Sequence, residues 1–191
     1  VAQAQGGTAG DVVDELTRDH REALDTLAQV SRESTNLQER RTLVDTVIGE
    51  VVRHSVAEEM YVYPVMRDRF DDGAEMVDHD ADEHAQLERV MQELEKTDPG
   101  EGRFDELVGE MTEALRHHAE DEENEQFPRL RAHVDPDTLQ KMREQVDRAK
   151  QIAPTRPHPD APNSEVFHKL AGPGVGMIDR MRDRLSGRLN S

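Results

Sequence analysis

A chain of 191 residues is long enough to bury one sizeable core with extras, and it is expected to be more than a fragment. Asp and Glu number 42 against 24 Lys and Arg, a formal charge of -18 that repels a phosphate backbone and argues against nucleic acid as a partner. Aromatic residues make up 3% and there is no Trp or Cys, so base-stacking platforms, disulfides and thiolate ligands are excluded. Any metal must sit on nitrogen and oxygen. No apolar run approaches the ~18 residues of a membrane span, and residues 1–10 read as a flexible start without a basic leader. A soluble, cytoplasmic protein with no membrane partner is expected.

Taken in chain order, Val13, Leu16, Ala23, Leu24 and Leu27 recur at helical spacing, with Asp11 as N-cap. A second stripe of Val44, Val47 and Val51 runs through His54 to Glu58, and a third sets Val77, Leu87, Met91 and Leu94 around His84. Phe104, Leu107, Met111, Leu115 and His118 make the fourth. The breaks near 34–38, 71–73 and 97–102 are of the length that joins antiparallel helices, so the expected class is all-α, an up-down antiparallel four-helix bundle. Asp135-Pro136 opens a short fifth helix to about Lys150, expected to pack across the bundle. Three parts follow: a flexible stretch at 1–10, the bundle with its fifth helix at 11–150, and a Pro/Gly-rich connector and tail at 151–191. Residues 154–162 hold four prolines and extend the chain, and residues 177–189 read as a short amphipathic helix suited to docking on the acidic bundle of its own or a neighbouring chain.

The chemistry resides in an internal match at a fixed offset of 64 residues: His20 with His84, His54 with His118, Glu58 with Glu122, Glu59 with Glu123, Tyr63 with Phe127, Pro64 with Pro128. Each half reads as a His followed by His-x-x-x-Glu-Glu-x-x-x-aromatic-Pro. Residues i and i+4 share a helix face, so His54 projects with Glu58 and His118 with Glu122, while His20 and His84 lie in the apolar registers of the first and third helices. Four imidazoles and two carboxylates converge inside an apolar bundle, which makes sense chiefly around cations. Imidazole and carboxylate without sulfur suit Fe, Mn or Zn, and inward His and Glu in a four-helix bundle is the pattern of dinuclear sites. With Glu58 and Glu122 bridging, four terminal His and a bridging oxygen, one position stays open on each six-coordinate metal, which suits exogenous oxygen species.

These motifs, His20, His54-Ser-Val-Ala-Glu58-Glu59 with Tyr63-Pro64, His84, and His118-Ala-Glu-Asp-Glu122-Glu123 with Phe127-Pro128, resemble the hemerythrin-like proteins with a His-His-Glu cation-binding domain over residues 11–150. The resemblance implies an up-down bundle holding two non-haem Fe ions with a bridging oxo or hydroxo group. It further implies reversible O2 binding, iron or oxygen sensing, or handling of peroxide and nitric oxide. The family's O2 carriers have two His one turn apart on the third helix; here only His84 is present, with Asp80 four residues earlier, which points away from pure carriage.

Tyr61 shares the face of His54 and Glu58 at i+7, so its phenol is expected either to pack or to reach the metal or a bound oxygen species. His117 points about 100° away from His118 and reads as surface or outer support. His79, His133, His158 and His168 read as solvated, and Glu59 and Glu123 as possible partners of ligand imidazoles. The expected function is a di-iron oxidoreductase acting on small molecules (O2, H2O2 or NO), through peroxide decomposition or peroxide-dependent nitric oxide oxidation. The alternatives are an O2- or iron-binding carrier or sensor without turnover, and a bundle holding zinc for stability alone.

Overall fold

In the computed structural model of the chain, residues 10–32 and 36–153 are described. They fold as seven α-helices and one π-helical segment: α1 Val12–Arg32, α2 Leu37–Tyr61, α3 Tyr63–Arg69, α4 Gly73–Lys96, α5 Gly102–Asp121, the π segment Glu122–Gln126, α6 Phe127–His133 and α7 Pro136–Ile152. Helices α1, α2, α4 and α5 form a closed ring of neighbours, α1 on α2 and α5, α4 on α2 and α5, as an all-α up-down bundle requires. The fifth helix of the sequence reading is α7, which lies against α1 and α2. The connector and amphipathic tail lie, from residue 154 on, outside the described residues.

Side chains start the helices as the sequence suggests. The Asp11 carboxylate accepts from the backbone N–H of Val13 at 2.9 Å and of Asp14 at 3.2 Å, and the Asp14 carboxylate accepts in return from the Asp11 N–H at 2.9 Å. Asn36 caps α2 through the Glu39 N–H at 3.2 Å, and Asp135 caps α7 through the Thr138 N–H at 3.0 Å, with Pro136 in its first turn. Gly73 starts α4 where α3 comes closest: a Cβ there would lie 2.2 Å from the Met66 carbonyl oxygen, so only glycine fits.

The repeated proline is absorbed in two ways. A proline ring collides with the carbonyl four residues back and offers no N–H. At Pro64 the helix breaks, with α2 ending at Tyr61 and the N–H groups of Val65 and Met66 both donating to the Val62 carbonyl at 3.0 Å. At Pro128 the chain instead widens into the π segment, whose closing bond runs from the Phe127 N–H to the Glu122 carbonyl.

Two apolar clusters fill the bundle, one around Leu16, Val62, Met66, Phe127, Leu130 and Val146, the other around Leu27, Ile48, Leu87, Met91, Phe104 and Leu115. On every long helix the repeat's His lies between residues of the two clusters: Leu16 and Ala23 around His20, Val52 and Ala57 around His54, Val77 and Leu87 around His84, Leu115 and Phe127 around His118. The far end is tied by Arg40, which donates to the Pro99 carbonyl at 2.7 Å, pairs with Asp105 and stacks over Phe104. A polar layer therefore crosses the middle of an apolar bundle held at both ends.

Candidate metal centre

His20, His54, Glu58, His84, His118 and Glu122 are all buried, and five of them, all but His84, each offer one ligand atom within 4.8 Å of the others. Two imidazole pairs form: His20 Nε2 lies 3.1 Å from His54 Nε2, and His84 Nε2 lies 3.2 Å from His118 Nε2. The ring centroids are 4.7 Å apart in both pairs, at 59° and 63° between planes, so the 64-residue repeat is a pseudo-two-fold in space. The carboxylates lie between the pairs. Glu58 Oε2 is 3.1 Å from His54 Nε2 and 3.4 Å from His84 Nε2, and Glu122 Oε2 is 3.3 Å from His20 Nε2 and 3.6 Å from His118 Nε2.

The outer nitrogens explain why the inner ones converge. His54 Nδ1 meets Asp19 at 3.1 Å and its counterpart His118 meets Glu83 at 3.0 Å; His20 Nδ1 meets Glu123 at 3.1 Å and its counterpart His84 meets Glu59 at 3.3 Å. With each Nδ1–H donating to a carboxylate, every Nε2 is aimed inward, and facing imidazole nitrogens at this spacing need a proton or a metal cation between them. Glu59 and Glu123 thus take the supporting role that their position beside the motif suggested. Asp19 and Glu83, which take the same role, escaped the sequence reading. They too are 64 residues apart, and each lies one residue before the first His of its half, the signal that could have found them.

Ionisation follows the geometry. Burial alone lowers the His54 imidazole, but the charge of Glu58 and the hydrogen bond to Asp19 outweigh it and raise the pKa to about 10. His84 and His20 are raised in the same way against their burial by the carboxylates they face. Burial pushes the Glu58 carboxyl up, and the surrounding imidazoles more than reverse this and hold it well below its usual range. Protons can therefore supply part of the positive charge that this layer demands.

The symmetry is broken on one side. His20 stacks on Phe127 at 6.0 Å between centroids and 4°, while His84 stacks on Tyr63 at 5.6 Å and 25°, with the Tyr63 hydroxyl 3.2 Å from His84 Nε2. Burial, with the charges of Glu58, Glu122 and Asp80, holds this phenol well above its usual range, so it keeps its proton. Buried Asp80 and Gln126, which correspond in the repeat to apolar Leu16 and Val62, also belong to this side, Gln126 Nε2 donating to Asp80 Oδ1 at 2.8 Å. Burial first, then the Glu122 charge, push the Asp80 carboxyl up to about 8. Tyr61, the phenol expected to share the His54–Glu58 face, ends α2 half-buried on the apolar cluster around Leu16 and Val62. The phenol beside the cluster is that of Tyr63, carried inward by the break at Val62, which a continuous helical register does not anticipate.

Of the remaining His, His117 and His79 are exposed on α5 and α4, and His133 bonds the Arg129 carbonyl at 2.8 Å on the surface; His158 and His168 lie outside the described residues. Both carboxylate oxygens of Glu58 and of Glu122 lack a hydrogen-bond partner among the described residues, although imidazole nitrogens lie close by. Buried carboxylates left so, opposite converging imidazole nitrogens, fit a metal ion of the iron, manganese or zinc type.

A helical bundle with a buried His/Glu cluster across its middle defines a class of cation-binding protein. The sequence profile of the hemerythrin HHE cation binding domain matches residues 11–130, and the chain belongs to that family. An uncharacterized hemerythrin-like protein of Schizosaccharomyces pombe is 28% identical over 175 residues, covering 91% of this chain and 86% of that protein. No solved structure matches the chain. No helix among the described residues is long and apolar enough to cross a membrane.

Proposed function

We infer that the chain is a non-haem di-iron protein that decomposes hydrogen peroxide, or uses it to oxidise nitric oxide. His20, His54, His84 and His118 would be terminal ligands, with Glu58 and Glu122 bridging two iron ions joined by an oxo or hydroxo group. The observation that carries the reading is the duplicated set of six inward groups whose carboxylates lack hydrogen-bond partners, each carboxylate reaching imidazoles of both pairs. When bound, the iron pair supplies Lewis acidity and two exchangeable redox equivalents.

The chain's own residues supply the rest. The four outer carboxylates hold the imidazoles in one tautomer and orientation. The apolar clusters on either side exclude water, which strengthens every electrostatic interaction in the layer. Tyr63 offers a hydroxyl proton beside His84, Gln126 Oε1, buried without a partner among the described residues, presents an acceptor, and Asp80, raised to about 8, keeps a proton at neutral pH on the Oδ2 that Gln126 does not reach. Hydrogen peroxide both donates and accepts and so matches this mixed lining, whereas O2 and nitric oxide have no proton to give, and this favours peroxide over simple O2 carriage. Dismutation of two peroxides to two waters and O2 balances without an external reductant, as does oxidation of two nitric oxides to two nitrous acids by one peroxide.

The test is iron analysis and visible absorption of the loaded chain, followed by O2 evolution on addition of peroxide. About two irons per chain with O2 release, or nitric oxide consumed only when peroxide is present, is the expected result. Two irons with neither reaction overturns the enzyme reading in favour of a carrier or sensor, and tight zinc with no reaction leaves a structural centre.

A further inference from the structure

We propose that His79, Glu83, His117 and Asp121 form a third metal site, on the surface, for a divalent transition cation such as Fe2+, Co2+ or Zn2+. The site stands outside the buried cluster and does not depend on what that cluster does. His79 and Glu83 are one turn apart on α4, and His117 and Asp121 one turn apart on α5, so the two pairs face each other across the α4–α5 seam. Glu83 Oε1 lies 3.1 Å from His117 Nδ1 and 3.6 Å from His79 Nε2, and Asp121 Oδ2 lies 3.5 Å from His117 Nδ1 and 4.0 Å from His79 Nε2. One atom each from His79, Glu83 and Asp121 fall within 4.8 Å of one another. One imidazole nitrogen and two carboxylate oxygens at this spacing, with His117 Nδ1 beside both carboxylates, are a donor set for zinc or a first-row neighbour.

The pseudo-two-fold gives an independent reason to expect a cation there. The counterpart of Glu83 is Asp19, and the counterpart of His79 is Glu15. Between Asp19 and Glu15 sits the ammonium of Lys150, 2.6 Å from Asp19 Oδ2 and 2.8 Å from Glu15 Oε1, brought by α7. Helix α7 packs on α1 and α2, so its lysine does not reach the α4–α5 pair, and among the described residues two imidazoles take the place instead. The fold thus puts positive charge against the outer carboxylate in both halves, from a tethered ammonium in one and from a position open to a free cation in the other.

Access and field agree. The side chains of His79 and His117 are 59% and 63% exposed, at the edge of a concavity of about 590 Å3 that also contains Glu110 and Glu113. The chain's charge of -18 concentrates divalent cations at its surface. Glu83 offers Oε1 outward while its Oε2 accepts from His118 Nδ1 at 3.0 Å, so a cation at the surface is one carboxylate and one imidazole away from the buried layer.

Titration of the full-length chain with Co2+ near neutral pH, followed by calorimetry and by the cobalt d–d bands, tests the site. Wild-type protein is expected to take up two slowly exchanging ions and one fast, exchangeable ion. In the His79→Ala/His117→Ala chain the exchangeable event weakens by more than about tenfold, since loss of even an outer partner costs about 10–100-fold in affinity, and the other two ions remain. In the Glu58→Gln/Glu122→Gln chain the exchangeable event persists while the slow ions are lost. An exchangeable event that is missing in wild type, or that survives the double alanine change as diffuse adsorption to acidic surface, overturns the site. Loss of only the slow ions in wild type would instead sink the di-iron reading and leave this site standing.

Discussion

Tyr63 and Tyr61 sit two residues apart and make opposite predictions. Tyr63 places its hydroxyl 3.2 Å from His84 Nε2, where the repeat has Phe127 in the other half. Tyr63→Phe therefore copies a residue that the fold already accepts, and peroxide turnover is expected to fall by about 100–10,000-fold, the scale of losing one positioned proton donor, with iron content unchanged. Tyr61→Phe is expected to leave turnover within about twofold. Rates and iron content measured side by side check both, and equal rates for the two variants would remove the proton-donor role.

Asp80 and His54 give opposite pH signatures in the chain stripped of metal by a chelator. The Asp80 carboxyl is raised to about 8, so its cost is absent below its ordinary value of 3.8, grows as pH rises, and is complete above about 8. Asp80→Asn keeps an acceptor for Gln126, and it is expected to stabilise the metal-free chain at pH 8.5 by on the order of 2–4 kcal/mol and to lose that advantage toward pH 4. His54, raised to about 10, works in reverse: its stabilisation is full below 6.5 and is lost as pH rises through about 10. Denaturant midpoints across pH for the wild type and both variants, with His54→Gln as the second, separate the two slopes. Metal must displace the His54 proton, so iron affinity is expected to fall as pH is lowered.

At the scale of elements, the proline six residues after each Glu shows how much context decides. One sequence signal produced a break at Val62 and a π segment over Glu122–Gln126, and only the first moves an aromatic hydroxyl beside an imidazole. Gly73 marks the closest approach of α3 and α4, and Gly73→Ala is expected to cost about 1–3 kcal/mol by forcing those backbones apart, measurable as a shift in denaturant midpoint. Helix α7 is anchored by Lys150 between Glu15 and Asp19 and by Arg143 on Glu15 at 3.1 Å. Lys150→Met is expected to destabilise by on the order of 2 kcal/mol, less than a fully buried pair because the ammonium is partly exposed. It should also loosen the Asp19 carboxylate that orients His54.

For the whole molecule, the two apolar clusters are separated by a layer that concentrates charge, so a bound metal contributes to folding as well as to chemistry. A ligand held at about 1,000 times its dissociation constant adds about 4 kcal/mol to stability. Chelation is accordingly expected to lower the thermal midpoint, and re-addition of iron to restore it; a midpoint indifferent to metal would count against a buried cation.

The helical class, the cap at Asp11, the helix start at Asp135-Pro136 and the inward registers of the repeated His and Glu were legible in the residues themselves. Those depend on period and on i to i+4 spacing, which are local, and on a repeat that can be counted. The sequence also placed Asp80 at a departure from the O2 carriers, without its partner. Packing between helices settled that Asp19 and Glu83 hold the outer nitrogens, that the Tyr63 hydroxyl lies beside His84, that Asp80 meets Gln126 across 46 residues, and that Lys150 sits between Glu15 and Asp19. Each of these contacts joins different helices, or crosses a helix break, and depends on how far one helix is rotated or shifted against the next. A periodic pattern defines which face turns inward, but not which atom on that face finds which neighbour.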